Sequence, residues 1–440
     1  MAPNKKPDGR NPPQGFAARS AALALVEGVR HGRLLSEMTT ADGPLGPLSP
    51  PERARAQRLA TEALRHAQRI DKALSPWLTK APPTRVRLVL HLATVEMCVD
   101  GAAPHGVVNT AVALVSAHPK TRHLAGLANA VLRKVAEDLV PRWPDLPPSR
   151  LPDWLRKPLR NAWGGEAMAA MERILAAAPP VDLTPADGDA AALAEALGGR
   201  ALATGSVRLD AAGQVSALPG YDEGRWWVQD AAAAVPARVL AAKPGERVLD
   251  LCAAPGGKTL QLAAAGARVT ALDISRARLA RLEENLARCR LSAEVIAADA
   301  GTWQPDAPFD AILLDAPCTA TGTLRRHPDL PFAKTGAELA PLAELQARLL
   351  DRAIGWLAPG GRLVFCTCSL LPAEGEAQIA ALLARDPGLQ ADPLDPAAFG
   401  LPGAAQTRHG LRLRPDLWET EGGMDGFYIA RIRRRNFATE

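Results

Sequence analysis

Residues 247–259 read RVLDLCAAPGGKT, and no other stretch restricts the fold so tightly. The apolar run Val248, Leu249 and Leu251 encloses Asp250, two glycines follow, and a helical pattern begins at Thr259. A strand, a Gly-rich turn and a helix in that order bring backbone N–H groups and a helix N-terminus up to a ligand. Three ligands compete for such a turn. A dinucleotide fingerprint requires G-x-G-x-x-G, which is absent here. A P-loop requires G-x-x-x-x-G-K-[ST]. Gly257, Lys258 and Thr259 match it, but Cys252 stands where its first glycine belongs. The third ligand is S-adenosylmethionine, under which the turn passes closely while acids further along hold ribose and adenine.

Downstream, strand-like runs alternate with helices. Strands are expected at Arg247–Cys252, Arg268–Asp273, Ala293–Ala298, Phe309–Asp315 and Arg362–Thr367, and helices at Ser275–Cys289 and Leu339–Leu357. That alternation predicts a doubly wound α/β sheet, which takes ligands at the carboxyl ends of its strands. Gly410–Arg414 and Gly426–Arg433 read as an antiparallel pair at one edge. Acids close four successive strands: Asp250, Asp273, Asp299 and Asp315. Asp273 is placed to accept the hydroxyls of a ribose, and Asp299 to meet an adenine amino group. A P-loop enzyme needs neither. Cys318, in Asp-Ala-Pro-Cys, and Cys368, in Thr-Cys-Ser, follow the fourth and fifth strands. Neighbouring strands would bring both thiols to one rim beside Asp315. Cys98, Cys252, Cys289 and Cys366 read as packing residues.

At 440 residues the chain is long for one core, so two or three domains are expected. Residues 15–140 are helical in pattern throughout and carry sixteen Lys/Arg against ten Asp/Glu. A basic helical module attached to an enzyme points to a polyanionic partner. Val140–Pro152 is Pro-rich and reads as a linker, and 150–228 as a small α/β module. Residues 1–14 are polar and Pro-rich, the mark of a disordered tail rather than a signal peptide. No apolar run approaches the ~18 residues of a membrane span, so the expected location is the cytoplasm. Six scattered cysteines form neither a disulfide framework nor a metal site.

Three motifs, DLCAAPGGKT, DAPCTATGTLRRHPD and TCSLLPAEGE, resemble those of the Sun (Fmu) type RNA cytosine-5 methyltransferases. The runs PHGVVNTAV, from Pro104, and GLANAVLR, from Gly126, resemble the RNA-binding NusB domain. The likeness covers nearly the whole chain. It implies an all-α NusB-like bundle (15–140) and a class I, Rossmann-like methyltransferase domain (229–437), with the small module between them. It also implies that Cys252, Ala253, Ala254, Pro255, Gly256, Gly257, Lys258, Asp273, Asp299 and Asp315 bind S-adenosylmethionine. Cys368 would be the nucleophile, and small-subunit ribosomal RNA the substrate. No metal, membrane or obligatory oligomer is implied.

The chemistry accounts for the residue types. A thiolate adding to carbon 6 of cytosine makes carbon 5 nucleophilic. Asp315 suits ring nitrogen 3, and Cys318 the departure of the carbon 5 proton. Arg325, Arg326 and His327 are expected to hold flanking phosphates or to form a solvated basic loop, and His105 and Asn109, one helical turn apart, to face RNA or to be buried. Thr319-Ala320-Thr321 departs from the usual Ser-Gly-Thr, Ala373 and Gly375 replace polar residues, and Asp182–Pro185 lacks a customary Arg. Competing readings are a P-loop-like ATPase, a non-catalytic NusB-like RNA-binding factor, and an amino-group methyltransferase. The last would carry Asn/Asp-Pro-Pro-aromatic in place of Asp-Ala-Pro-Cys.

Overall fold

The computed structural model describes residues 13–435 apart from 41 and 212, so nearly all of the tail expected over 1–14 lies outside the described residues. The chain divides into two compact units, one of Met1–Pro152 with His327–Thr335, the other of Asp153–Arg326 with Gly336–Glu440.

The first unit is all helical: α1 (Phe16–Arg30), α2 (Leu35–Met38), α3 (Pro50–Arg65), α4 (Ala67–Leu74), α5 (Thr84–Cys98), α6 (Pro104–Ala117) and α7 (Ala125–Lys134). Ser49 opens α3 with Pro50 behind it, and Glu52 reaches back to the Ser49 N–H at 3.2 Å, which satisfies a donor the helix cannot. Helix α5 is apolar on nearly every face, from Val86 to Met97, and so lies within the bundle. Its buried Glu96 takes Arg19 of α1 at 2.6 Å and Arg55 of α3 at 2.8 Å, so the charge stays paired. Val140–Pro152 is more than a linker. Helical turns at Val140–Asp145 bury Trp143 beneath the Arg69 guanidinium, 4.0 Å from the ring centroid, with His66 edge-on at 5.5 Å. Prolines interrupt the backbone there, but one large aromatic gains enough by burial to anchor the strip. The segment His327–Thr335 completes this unit. Asp329 accepts the Leu35 N–H at the start of α2 at 2.9 Å, and Phe332 packs on the core beneath Arg30.

The second unit opens with the helical run Asp153–Leu175, broken at Gly164 (φ 86°). A small antiparallel sheet follows, built of β1 (Val181–Pro185), β2 (Arg200–Ala201), β3 (Val207–Leu209) and β4 (Trp226–Val228), in the order β2-β3-β1-β4. The large sheet is mixed. Its strands are β5 (Arg247–Leu251), β6 (Arg268–Asp273), β7 (Glu294–Ala297), β8 (Phe309–Asp315), β9 (Leu357–Thr367), β10 (Leu389–Ala391), β11 (Leu411–Leu413) and β12 (Phe427–Arg434). The order is β10-β12-β9-β8-β5-β6-β7, with β11 also on β12, and β5 to β9 run parallel. Ile312, Leu313 and Leu314 of β8 are all fully buried, as a strand covered by helices on both faces must be.

The C-terminal pair is antiparallel as expected, Leu411–Leu413 running against Phe427–Ile429, but it is not the last of the sheet at that side. Strand β12 lies inside the sheet between β9 and β10, because Tyr428, Ile429 and Ala430 are apolar on both faces and need cover on both. Leu357 opens β9, and the preceding helix stops at Gly355.

Candidate active site

Strand β5 delivers Asp250 to the floor of the Gly-rich turn. Its carboxylate is fully buried, and Oδ2 accepts the Thr259 hydroxyl at 2.5 Å while Oδ1 has no partner. Burial pushes its pKa up to about 7, against the pull of Thr259 and Lys258. The chain then turns through Cys252 (φ 66°) and Gly256 (φ 107°) into the helix Gly257–Ala264. A Cβ at Gly256 would stand 2.7 Å from Leu282 Cγ, so both the dihedral and the space demand glycine. Burial also raises the Cys252 thiol, which keeps it protonated, consistent with packing.

Asp273 ends β6 and is 3 % exposed. It accepts the Ser275 N–H at 2.8 Å and the Ala254 N–H at 3.1 Å, so it ties β6 to the turn. A carboxylate offers about four lone-pair sites, so half remain for a diol. Beside it Ile274 is 72 % exposed, an apolar face next to the acid which sequence reasoning did not single out. Asp299, after β7, is exposed and accepts the Gly301 N–H at 2.7 Å. The turn Cys252–Lys258, Asp273 and Asp315 thus line adjacent strand ends, with Asp299 one strand further out. A Gly-rich turn at a helix start, an exposed apolar side chain and acids at adjacent strand ends fit an adenosine-bearing sulfonium.

The same geometry disfavours a phosphate. Lys258 is buried, and its Nζ lies 2.7 Å from Asp315 Oδ2 and 5.2 Å from the Phe427 ring centroid. Burial works against its charge, but Asp315 and Cys366 outweigh it and its pKa rises. The lysine that a P-loop needs for phosphates is already committed.

Strands β8 and β9 pair with Asp315 opposite Cys366, so the loops after them start side by side. Cys318 Sγ and Cys368 Sγ lie 3.5 Å apart, both half-buried, as the motifs predict. Gly322 N–H donates to Cys368 O at 2.8 Å, and Leu370 N–H to the Thr321 hydroxyl at 3.0 Å. Ala320 stands at φ 58°, where the family's usual glycine would sit without strain. Thr319 and Thr321 keep the hydroxyls, and both are used. Cys366 is wholly buried, 3.4 Å from Asp315 Oδ1, and its thiol is raised by burial and then by Asp315.

The loop beyond Cys318 corrects one expectation. Arg325 is fully buried, 3.5 Å from Asp230 and 3.6 Å from Asp425, and Arg326 lies 2.7 Å and 3.4 Å from the same two acids. Burial alone would raise Asp230, but the two guanidiniums hold it low. Asp425, raised by burial and by Asp230, stands at about 7. Two arginines thus staple the cysteine loop to the N-cap of the helix Ala231–Leu240, where phosphate contacts were expected. His327 is exposed and belongs to the helical unit. Arg208 and Asp182 of the small sheet form a second, wholly buried pair at 2.7 Å. The sequence flagged none of these acids, since a buried carboxylate and a solvated one look alike in a string of residues.

In the helical unit, His105 and Asn109 are both exposed, which removes the buried reading. With Asn129 and Arg133 from α7, and with Glu137 just past its end, they line a groove of about 390 Å³ between α6 and α7. Imidazole, amide and guanidinium groups facing one another suit a nucleotide.

Residues 237–433 match the family model of the 16S rRNA methyltransferase RsmB/F, and residues 17–137 that of the NusB family. The chain is 36% identical to the ribosomal RNA small subunit methyltransferase B of Xanthomonas campestris pv. campestris, over 94% of this chain and 97% of the relative. Identity to the protein of the same name from Pseudomonas putida is 38%, over 87% and 90%. The crystal structure of PH0851 shares the fold, with a TM-score of 0.69 at 21% identity, covering 96% of this chain and 99% of that one.

Proposed function

Because the chain belongs to the RsmB/F family of 16S ribosomal RNA methyltransferases and carries a NusB domain, we propose that it makes 5-methylcytosine in small-subunit ribosomal RNA. The observation that carries this reading is the pair of thiols 3.5 Å apart at the ends of β8 and β9, beside Asp315. An amino-group methyltransferase has no use for two thiols, and a non-catalytic RNA-binding factor has no use for a built cofactor turn.

S-adenosylmethionine supplies the methyl group as an electrophilic sulfonium when bound. Asp273 and Asp299 are assigned to its ribose and adenine, Ile274 to one adenine face, and Cys252–Lys258 to the close approach of the backbone. The target cytosine has to leave its stack to reach the rim. The Cys368 thiolate forms a bond to carbon 6, and the carbon 5–carbon 6 π pair moves to make carbon 5 nucleophilic. Asp315, held by Lys258, faces the nitrogen 3 edge and accepts the hydrogen bond from that nitrogen once it carries a proton. Once carbon 5 carries the methyl, its proton leaves past the Cys318 thiol to solvent at the mouth of the pocket, the double bond reforms, and Cys368 leaves as thiolate. The α6–α7 groove of the NusB domain would add RNA affinity, with Arg133 on phosphate.

The test is bisulfite sequencing of 16S ribosomal RNA from a strain lacking the protein, complemented with wild type or Cys368→Ala. One cytosine should lose protection in the deletion and regain it with wild type alone. An unchanged pattern in all three strains overturns the reading.

A further inference from the structure

Glu374 sits in the turn after Cys368 and is 0 % exposed. Its Oε1 accepts the Thr319 N–H at 2.9 Å and the Gln346 amide at 3.2 Å, and its Oε2 accepts the Thr319 hydroxyl at 2.5 Å. Gln346 also donates to Pro317 O at 2.8 Å. Both chain neighbours of Cys318 are therefore held by one carboxylate–amide pair, and that carboxylate comes from the Cys368 loop. Its own backbone carbonyl takes the Thr367 hydroxyl at 2.8 Å, which fixes the other cysteine's neighbour. Among the described residues these donors to the carboxylate are neutral. Burying an anion without a cation is costly, and a glutamine of the same shape could fill the space. The charge itself therefore needs a reason.

We propose that Glu374 is a positioning residue that decides which of the two sulfurs carries the charge: it keeps the proton on Cys318 and leaves the thiolate on Cys368. This rests on Cys368 being the attacking thiol. An anion bonded to the residue next to Cys318 opposes a second negative charge there. The proton that remains on Cys318 then bridges to Cys368 across the 3.5 Å gap. The Cys318 thiol is held well above its ordinary range by that bond to Cys368, then by burial, then by Cys368 and Glu374 as negative neighbours. The other charged groups around the pair are already matched. Asp315 is paired with Lys258, and Arg412, which donates to Ser369 O, is paired with Glu376 at 2.6 Å.

The experiment is pulsed alkylation of the full-length protein with iodoacetamide from pH 6 to 10, reading Cys318 and Cys368 separately by peptide mass spectrometry. It uses neither RNA nor cofactor, so its outcome is independent of the substrate assignment. Both residues are half-buried, so charge is separated from access by the change in the ratio between wild type and Glu374→Gln, in which access to the two thiols is common. In wild type Cys368 should react first at every pH. In Glu374→Gln the ratio of Cys368 to Cys318 labelling should fall about tenfold, one unit of relative acidity, and Glu374→Asp should restore most of it. Wild-type protein in which Cys318 reacts first overturns the proposal, and that arm needs no variant to fold. An unchanged ratio in a folded Glu374→Gln overturns it equally.

Discussion

In the cofactor turn, the contacts that shape the backbone join residues close in sequence, Asp250 to Thr259 across nine positions and Ala254 to Asp273 across nineteen, while the Lys258 side chain reaches on to Asp315 fifty-seven positions away. At the cysteine rim they join Cys318 to Cys368 across fifty positions and Thr319 to Glu374 across fifty-five. The turn is held by one strand, one helix and the next strand's acid. The rim exists only once β8 and β9 have paired and a buried glutamate has drawn their loops together. Damage to the turn should therefore remain a binding defect, while damage to the rim should reach both thiols.

The hardest test of that contrast is at the rim itself. Cys368→Ala should abolish methyl transfer and any covalent adduct. Cys318→Ala should let attack and transfer proceed but stall release, so that a protein–RNA species survives denaturing electrophoresis. An adduct formed by Cys368→Ala and missing in Cys318→Ala would reverse the two roles.

Next in size is the staple behind the rim. Arg325→Met leaves Asp230 and Asp425 facing each other with only Arg326 between them, and should cost about 3–5 kcal/mol of stability in denaturant titration. A loss under 1 kcal/mol would mean that the loop is held by its backbone contacts alone.

The turn has its own signature in pH. Asp250 has a folded pKa of about 7, above an unfolded value of about 4. Between those values the folded state holds the extra proton, so stability falls as pH rises from about 4 to 7, by up to about 1.4 kcal/mol per unit. Above the folded value this dependence ends. Asp250→Asn should flatten that slope, and an unaltered slope would assign it elsewhere.

Asp273→Ala should weaken S-adenosylmethionine binding by about 1.5–3 kcal/mol in calorimetry, the scale of hydrogen bonds to a charged group. The Cys318–Cys368 pair should keep its alkylation order in that variant. A changed order would dissolve the distinction between turn and rim.

The smallest effect lies at Ala320. Its left-handed φ costs ~1–2 kcal/mol, part of which glycine returns as backbone entropy. Ala320→Gly should therefore raise stability by about 0.5–1 kcal/mol with the rim's reactivity unchanged. A loss of stability would show that the alanine methyl packs usefully.

The strand–turn–helix at 247–259, the acids closing successive strands, the two cysteine motifs and the helical bundle were all legible from spacing alone. Each depends on local conformation or on a two- or 3.6-residue period, and both are properties of neighbouring residues. The fate of the charged side chains was not legible. Arg325 and Arg326 read as phosphate ligands but serve as a buried staple, and Arg326 meets Asp230 ninety-six positions away. The sequence singled out no role for Glu374, and it placed β12 in a pair at one edge without the β10 that lies beyond it. Whether a charge is solvated or buried depends on which distant partner the fold brings within 3 Å. Desolvation makes that partner the difference between a surface residue and a structural one, and only the tertiary structure supplies it.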